Sequence, residues 1–181
     1  MKHALVIGGT GMLSKVSIWL AANGYHVSVI GRNQEKMQRL LSSAESYSQM
    51  TPVLVDYTNN EELAKQLGYI QKLNGNIHLV IAWIHSTGKN VIPCLTKCIS
   101  DVEPWKLFHV NGSSSNLDNI KKAIDVPENV EYHQIQLGFI LEKGNSRWLV
   151  HDEISDGVIH AITQGKIKHI IGTIEPWEKR P

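Results

Sequence analysis

The stretch Leu5-Val6-Ile7-Gly8-Gly9-Thr10-Gly11-Met12-Leu13-Ser14 decides the reading of this chain. Three aliphatic residues lead into a glycine cluster, and a helical pattern follows through Leu20. Gly8 and Gly11 keep a GxxGxx(G/S) spacing, with Ser14 at the third position still small enough for a helix to pack near a sheet. A missing Cβ lets the backbone turn sharply and approach a phosphate closely. The free N–H groups and positive end of the following helix then stabilise the phosphate charge. A glycine turn can also serve only to reverse the chain. Here the strand before it and the helix after it supply the context that a dinucleotide-binding turn needs. Gly8, Thr10, Gly11, Met12 and Leu13 are therefore candidate cofactor-binding residues.

Outward from this turn, apolar runs alternate with amphipathic stretches of helical length. The runs are His3–Gly8, His26–Ile30, Thr51–Asp56, Ile77–Trp83, Trp105–Val110, Glu131–Ile140 and Ile167–Ile171. Helices are expected at Gly11–Asn23, Asn33–Ser46, Asn59–Leu73, Lys89–Ser100, Asn116–Ile124 and Asp152–Gln164. Strands that are apolar on both faces and separated by helices require a parallel sheet covered on both sides. Right-handed crossovers then give an α/β, doubly wound parallel sheet of about seven strands, a Rossmann-type three-layer sandwich. One domain over 1–181 suffices, with 173–181 an irregular tail.

The second run ends in Gly31-Arg32-Asn33. A site selective for NAD usually carries Asp or Glu at this strand end, about 20 residues past the glycines, to bind the ribose 2′-OH. Here glycine stands in that place and arginine follows. A carboxylate would repel a 2′-phosphate, whereas a guanidinium binds one through paired charge-assisted hydrogen bonds. Arg32 and Asn33 join the candidate cofactor residues, Lys36 and Arg39 add positive potential, and NADP(H) is favoured over NAD(H). A solvated loop arginine is the competing reading of Arg32.

Composition narrows the class. Of 181 residues, 42% are hydrophobic and 19% charged, an ordinary globular balance, and the net charge of +1 gives no footprint for nucleic acid or an anionic membrane. No apolar run reaches membrane-spanning length. Met1-Lys2-His3 leads directly into a strand-like run, so a cytoplasmic protein without a signal peptide is expected. Cys94 and Cys98 are four apart, and the nine histidines show no ligand spacing, so no metal is expected.

Together these motifs resemble the short-chain dehydrogenase/reductase superfamily, in particular its small atypical members. The resemblance runs through essentially the whole chain. Gly8–Ser14 is similar to that family's glycine turn, and Gly31-Arg32-Asn33 to its NADP-type strand end. Asp56-Tyr57-Thr58 resembles the segment that contacts adenine, and Ala82-Trp83-Ile84 the segment that lies along the cofactor. Asn111-Gly112-Ser113-Ser114 resembles the strand end that holds the catalytic serine. Leu137-Gly138-Phe139-Ile140 resembles the Pro-Gly segment beside the nicotinamide, with leucine for proline. The resemblance thus implies cofactor contacts at Asp56, Tyr57, Ala82, Trp83 and Ile140, and by analogy a homo-oligomer. It breaks at the family's Tyr-x-x-x-Lys pair, because no tyrosine lies between Ser113 and Glu131, and Tyr132 is followed four residues on by Gln136.

Ligands of open α/β sheets bind beyond the carboxyl ends of the strands. That rule selects Ser113 and Ser114 as donors to a substrate carbonyl and His85 as a proton donor. It also selects Arg147 and Trp148 as a substrate fork and apolar wall. Competing readings are a helix cap for the serines, a polar loop for His85 and surface packing for Arg147-Trp148. Two function classes follow. One is an NADPH-dependent reductase of a small carbonyl or quinone-like substrate; the alternative is an NADP(H)-sensing or regulatory protein without turnover.

Overall fold

A computed structural model describes residues 1–99 and 102–181; the expected helix end at Ser100 lies outside the described residues. The chain alternates strands and helices: β1 (Lys2–Ile7), α1 (Ser14–Ala22), β2 (Tyr25–Gly31), α2 (Gln34–Ser43), β3 (Met50–Leu54), α3 (Asn60–Asn74) and β4 (Ile77–Trp83). It continues with α4 (Val91–Cys98), β5 (Trp105–Asn111), α5 (Leu117–Ala123), β6 (Val130–Leu137), β7 (Phe139–Glu142), β8 (Asn145–Trp148), α6 (His151–Gln164) and β9 (Lys168–Ile171). Seven strands form one parallel sheet in the order β3-β2-β1-β4-β5-β6-β9. The order reverses between β1 and β4, the switch point at which such sheets bind ligands.

β1 shows why the sheet is covered on both faces. Side chains alternate across a strand. Ala4 and Val6 enter the core closed by α1, α2 and α6, while Leu5 and Ile7 enter the one closed by α3 and α4. All four are fully buried. Asparagines start three helices: Asn33, Asn59 and Asn116 accept the N–H of Lys36, Glu62 and Asn119 at 2.9, 3.2 and 3.0 Å.

Two boundaries depart from the sequence reading. The first helix begins at Ser14 rather than Gly11, and Gly8–Leu13 form successive turns. The expected run Glu131–Ile140 is two elements, because the chain leaves the sheet at Gly138. There it crosses the end of β9, with a Gly138 N–H···O Ile171 bond of 2.9 Å. A Cβ on Gly138 would lie 2.1 Å from the Thr173 carbonyl oxygen, so only glycine permits the crossing. Phe139 then exchanges two backbone hydrogen bonds with Thr173, at 2.8 and 2.9 Å, which ties the first tail residue to the fold. Beyond the crossing, β7 and β8 pair as an antiparallel hairpin. Lys143 and Gly144 both take positive φ in its turn, as a primed two-residue turn requires.

Candidate functional site

A groove of about 530 Å³ runs along the carboxyl ends of β1, β2 and β4. It brings together Gly8, Thr10, Gly11, Met12, Arg32, Asn33, Tyr57, Trp83 and His85, along with Ile30, Gly31, Lys36 and His151. A second cavity of about 310 Å³ shares Trp83 and continues to the ends of β5 and β6, where Ser113, Leu137, Gly138 and Trp148 line it with Gly112, Leu149 and Ile154.

The glycine turn divides its work. A Cβ on Gly9 would sit 2.7 Å from both Ser17 Oγ and Val29 Cγ1, so Gly9 lets α1 close on the sheet. A Cβ on Gly11 would meet nothing nearer than the Gly8 carbonyl oxygen at 4.0 Å. The interior therefore gives no reason for glycine at position 11; the open space lies on the groove. The Met12 and Leu13 N–H groups, at the start of α1, find no acceptor among the described residues. A cradle that a side chain would fill, faced by unpaired amides at a helix N-terminus, fits a pyrophosphate. α6 braces this turn: Ser155 Oγ donates to the Met12 carbonyl at 2.7 Å, and Lys15 pairs with Asp156 at 2.8 Å.

At the β2 end, Arg32 is exposed and makes one long contact to Asp56, at 3.4 Å. The Asp56 carboxyl is held below its usual range mainly by the Thr58 hydroxyl and N–H, at 2.7 and 3.0 Å, with Arg32 adding to the effect. Asp56 does not line the groove and meets it through Arg32. Gly31 also has a packing reason, since a Cβ there would stand 3.0 Å from Thr10 Cγ2. Asn33 caps α2 from the groove edge, and Lys36 projects from the first turn of that helix.

Across the switch point, Tyr57 and His85 meet: the His85 N–H donates to the Tyr57 hydroxyl at 3.2 Å. The His85 ring stands edge-on to Trp83, centroids 5.7 Å apart. The loop after β5 is pinned from β6, because Gln136 Nε2 donates to the Ser113 and Ser115 carbonyls at 3.0 and 2.8 Å. Asn116, not a serine, caps α5, which corrects the capping reading of the serine run. Ser113 lines the second cavity, whereas Ser114 is exposed and lines neither.

Leu13 and Ala82 turn their side chains into the two cores, so any contact of theirs with a ligand runs through the backbone. Two other expectations need correction. Ile140 sits on the hairpin opposite Arg147, and the β6 end presents Leu137 and Gly138 to the cavity instead. Arg147 is not a free fork. Its two terminal nitrogens each meet a Glu153 oxygen at 2.9 Å, and Glu142 lies 3.6 Å away. Those bonds, with the Val150 N–H, hold the Glu153 carboxyl down at about 2. The arginine fastens the hairpin to the start of α6. Tyr132 is also away from the site, buried on β6 with its hydroxyl 2.8 Å from His109 Nδ1 and pushed up to about 12 by burial.

The sequence reading missed His151, which reaches the groove only because the hairpin returns the chain to the glycine turn. No local pattern marks it. Lys36 was legible as one turn past Arg32.

A doubly wound parallel sheet with a groove at its switch point defines a Rossmann-type fold. Comparison with known proteins narrows the fold further. No family model matches the sequence. An uncharacterized oxidoreductase of Staphylococcus aureus (strain MW2) is 27% identical over 180 residues, 95% of this chain and 73% of that protein. The citronellol catabolism dehydrogenase of Pseudomonas aeruginosa PAO1 superposes with a TM-score of 0.70 at 16% identity, covering 93% of this chain and 92% of that one. A metagenomic short-chain oxidoreductase solved with NADP superposes with a TM-score of 0.71 at 12% identity, covering 94% and 96%. The fold is that of the short-chain dehydrogenase/reductase superfamily.

Proposed function

We propose that this chain is an NADP(H)-binding reductase of that superfamily, acting on a small carbonyl or quinone-like substrate. The observation that carries the reading is Gly11, a glycine with no internal need for its missing Cβ, opening beside unpaired amides at the start of α1. The Met12 and Leu13 amides would hold the pyrophosphate, and Arg32 and Lys36 the 2′-phosphate. Trp83, Leu137 and Gly138 would flank the nicotinamide, and the chemistry that the dinucleotide would supply there is hydride transfer. Ser113 donates to the substrate oxygen, and Trp148 closes the far wall. The oxidoreductase among the relatives and the solved NADP complex support this reading. A cytoplasmic location accords with it: no helix among the described residues is long and apolar enough to cross a membrane, and Cys94 and Cys98 are free thiols.

One observation favours a second reading, in which the protein holds NADP(H) without turnover. α5 carries no tyrosine, and Tyr132 faces away from the groove. Loss of NADPH absorbance against a panel of carbonyls and quinones separates the two. Turnover with any of them establishes the reductase; tight NADPH binding with no oxidation across the panel establishes the second reading.

A further inference from the structure

The cavity at the nicotinamide end has an unusual lining for a reductase. Trp83, Leu137, Trp148, Leu149 and Ile154 wall it, and Ser113 supplies its one hydroxyl. No carboxylate, ammonium, guanidinium, imidazole or phenol lines it among the described residues. Arg147, adjacent to Trp148 in sequence, is committed to Glu153 and Glu142. A charged substrate held against this lining would give up water on its apolar side and meet no opposite charge in return. The lining therefore selects an uncharged, apolar ring.

The same lining constrains the proton. Reduction of a simple ketone leaves an alkoxide, a base comparable to hydroxide, which an enzyme must quench with a positioned acid. Ser113 is too weak an acid for that task. His85 stands on the groove side of Trp83, and the Tyr132 hydroxyl is buried against His109. Reduction of a quinone leaves a phenolate-type anion instead. A phenol ionises near pH 10, so its anion survives in neutral water long enough to leave and collect a proton there.

We propose that this cavity takes a quinone, lodged against Trp83 and Trp148 with one carbonyl accepting from Ser113. The proposal rests on the reading of the groove as an NADPH site and names the substrate class of that site. The balance closes without a protein acid. The quinone gains one hydride, which carries one proton and two electrons, and becomes the hydroquinone monoanion; a solvent proton completes the hydroquinone, and NADPH ends as NADP⁺.

Three measurements on the full chain test this. NADPH binding, read by calorimetry, tests the groove alone; its absence removes the reading and the inference together. With NADP⁺ saturating, so that no turnover occurs, calorimetry with menadione should show binding, and Trp148→Ala should weaken it roughly tenfold through the lost aromatic contact. A naphthoquinone carboxylate should show no binding. In turnover, menadione should be reduced with a rate nearly flat across neutral pH, while the ketone tetralone is not detectably reduced. If NADPH binds but tetralone is reduced as fast as menadione, the groove assignment stands and the quinone proposal is overturned. Equal binding of the carboxylate, or menadione that neither binds nor turns over, overturns it as well.

Discussion

Beside β2, the groove offers two exposed cations: Arg32, held by one 3.4 Å contact, and Lys36. Beside β6, the only guanidinium of the neighbouring hairpin is doubly bonded to Glu153, and what faces the cavity is indole and aliphatic carbon around a single hydroxyl. One end is built to receive negative charge and the other to refuse it. On the proposed reading, binding energy for a dinucleotide would be concentrated at its adenosine and pyrophosphate, while the reacting end would supply position and an apolar surface. Such a division uses remote contacts to hold the reacting ring in place.

The sharpest way to break this contrast is at the glycine turn. Gly11→Val should leave the domain folded, because its Cβ meets nothing inside, yet cost NADPH affinity about a hundredfold or more by filling the pyrophosphate cradle. Gly9→Val should do the reverse and lower the melting temperature, since its Cβ would strike Ser17 and Val29 at 2.7 Å. Calorimetry and thermal melts on both variants separate a ligand glycine from a packing glycine. A Gly11→Val protein that binds NADPH normally removes the cradle.

The charged end is probed next. Hydrogen bonds to charged groups contribute about 1.5 to 3 kcal/mol net, so Arg32→Ala should weaken NADPH by roughly one to two decades and leave NADH almost unchanged. At the apolar end the expected effect is smaller. Ser113→Ala should slow turnover about tenfold with NADPH affinity intact, because its donor acts where charge develops on the substrate oxygen. Ser114→Ala, outside both cavities, should change neither. Equal losses in the two serine variants would return the serine run to a structural role.

The smallest effect lies beneath the site. Burial pushes His109 down to about 4 from its ordinary 6.5, so the folded state holds it neutral while the unfolded chain binds its proton more readily. Its contribution is full above 6.5 and is lost as pH falls toward 4. Between about pH 7 and about pH 6 the loss should reach about 0.7 kcal/mol. Denaturant midpoints of wild type and His109→Gln over that interval should diverge accordingly. Parallel midpoints would mean that His109 titrates normally.

The contrast between the two ends also governs what the sequence discloses. The adenosine half is encoded within short segments: strand, glycines and helix in Leu5–Leu20, then Gly31-Arg32-Asn33 one βα unit later. The groove residues there are the turn itself and residues adjacent to it, so spacing alone brings them together. The reacting half is assembled from the ends of three strands, a hairpin and α6, and no local spacing links Ser113 with Trp148 or Ile154. The hairpin itself was signalled by Lys143-Gly144 between two short runs, a primed-turn pattern masked because Glu131–Ile140 reads as one continuous strand. The break at Gly138 depends on the Thr173 carbonyl, thirty-five positions away in sequence. Arg147 reads as a free fork until the fold places Glu153 opposite it.

The central claim is that the groove is a dinucleotide site that reads a 2′-phosphate through Arg32 and Lys36. Calorimetric titration of the wild-type chain with NADPH and with NADH, at physiological salt, tests it most directly. One NADPH should bind per chain, about tenfold or more tighter than NADH. Equal affinity for the two nucleotides, or no heat with either, would contradict the account.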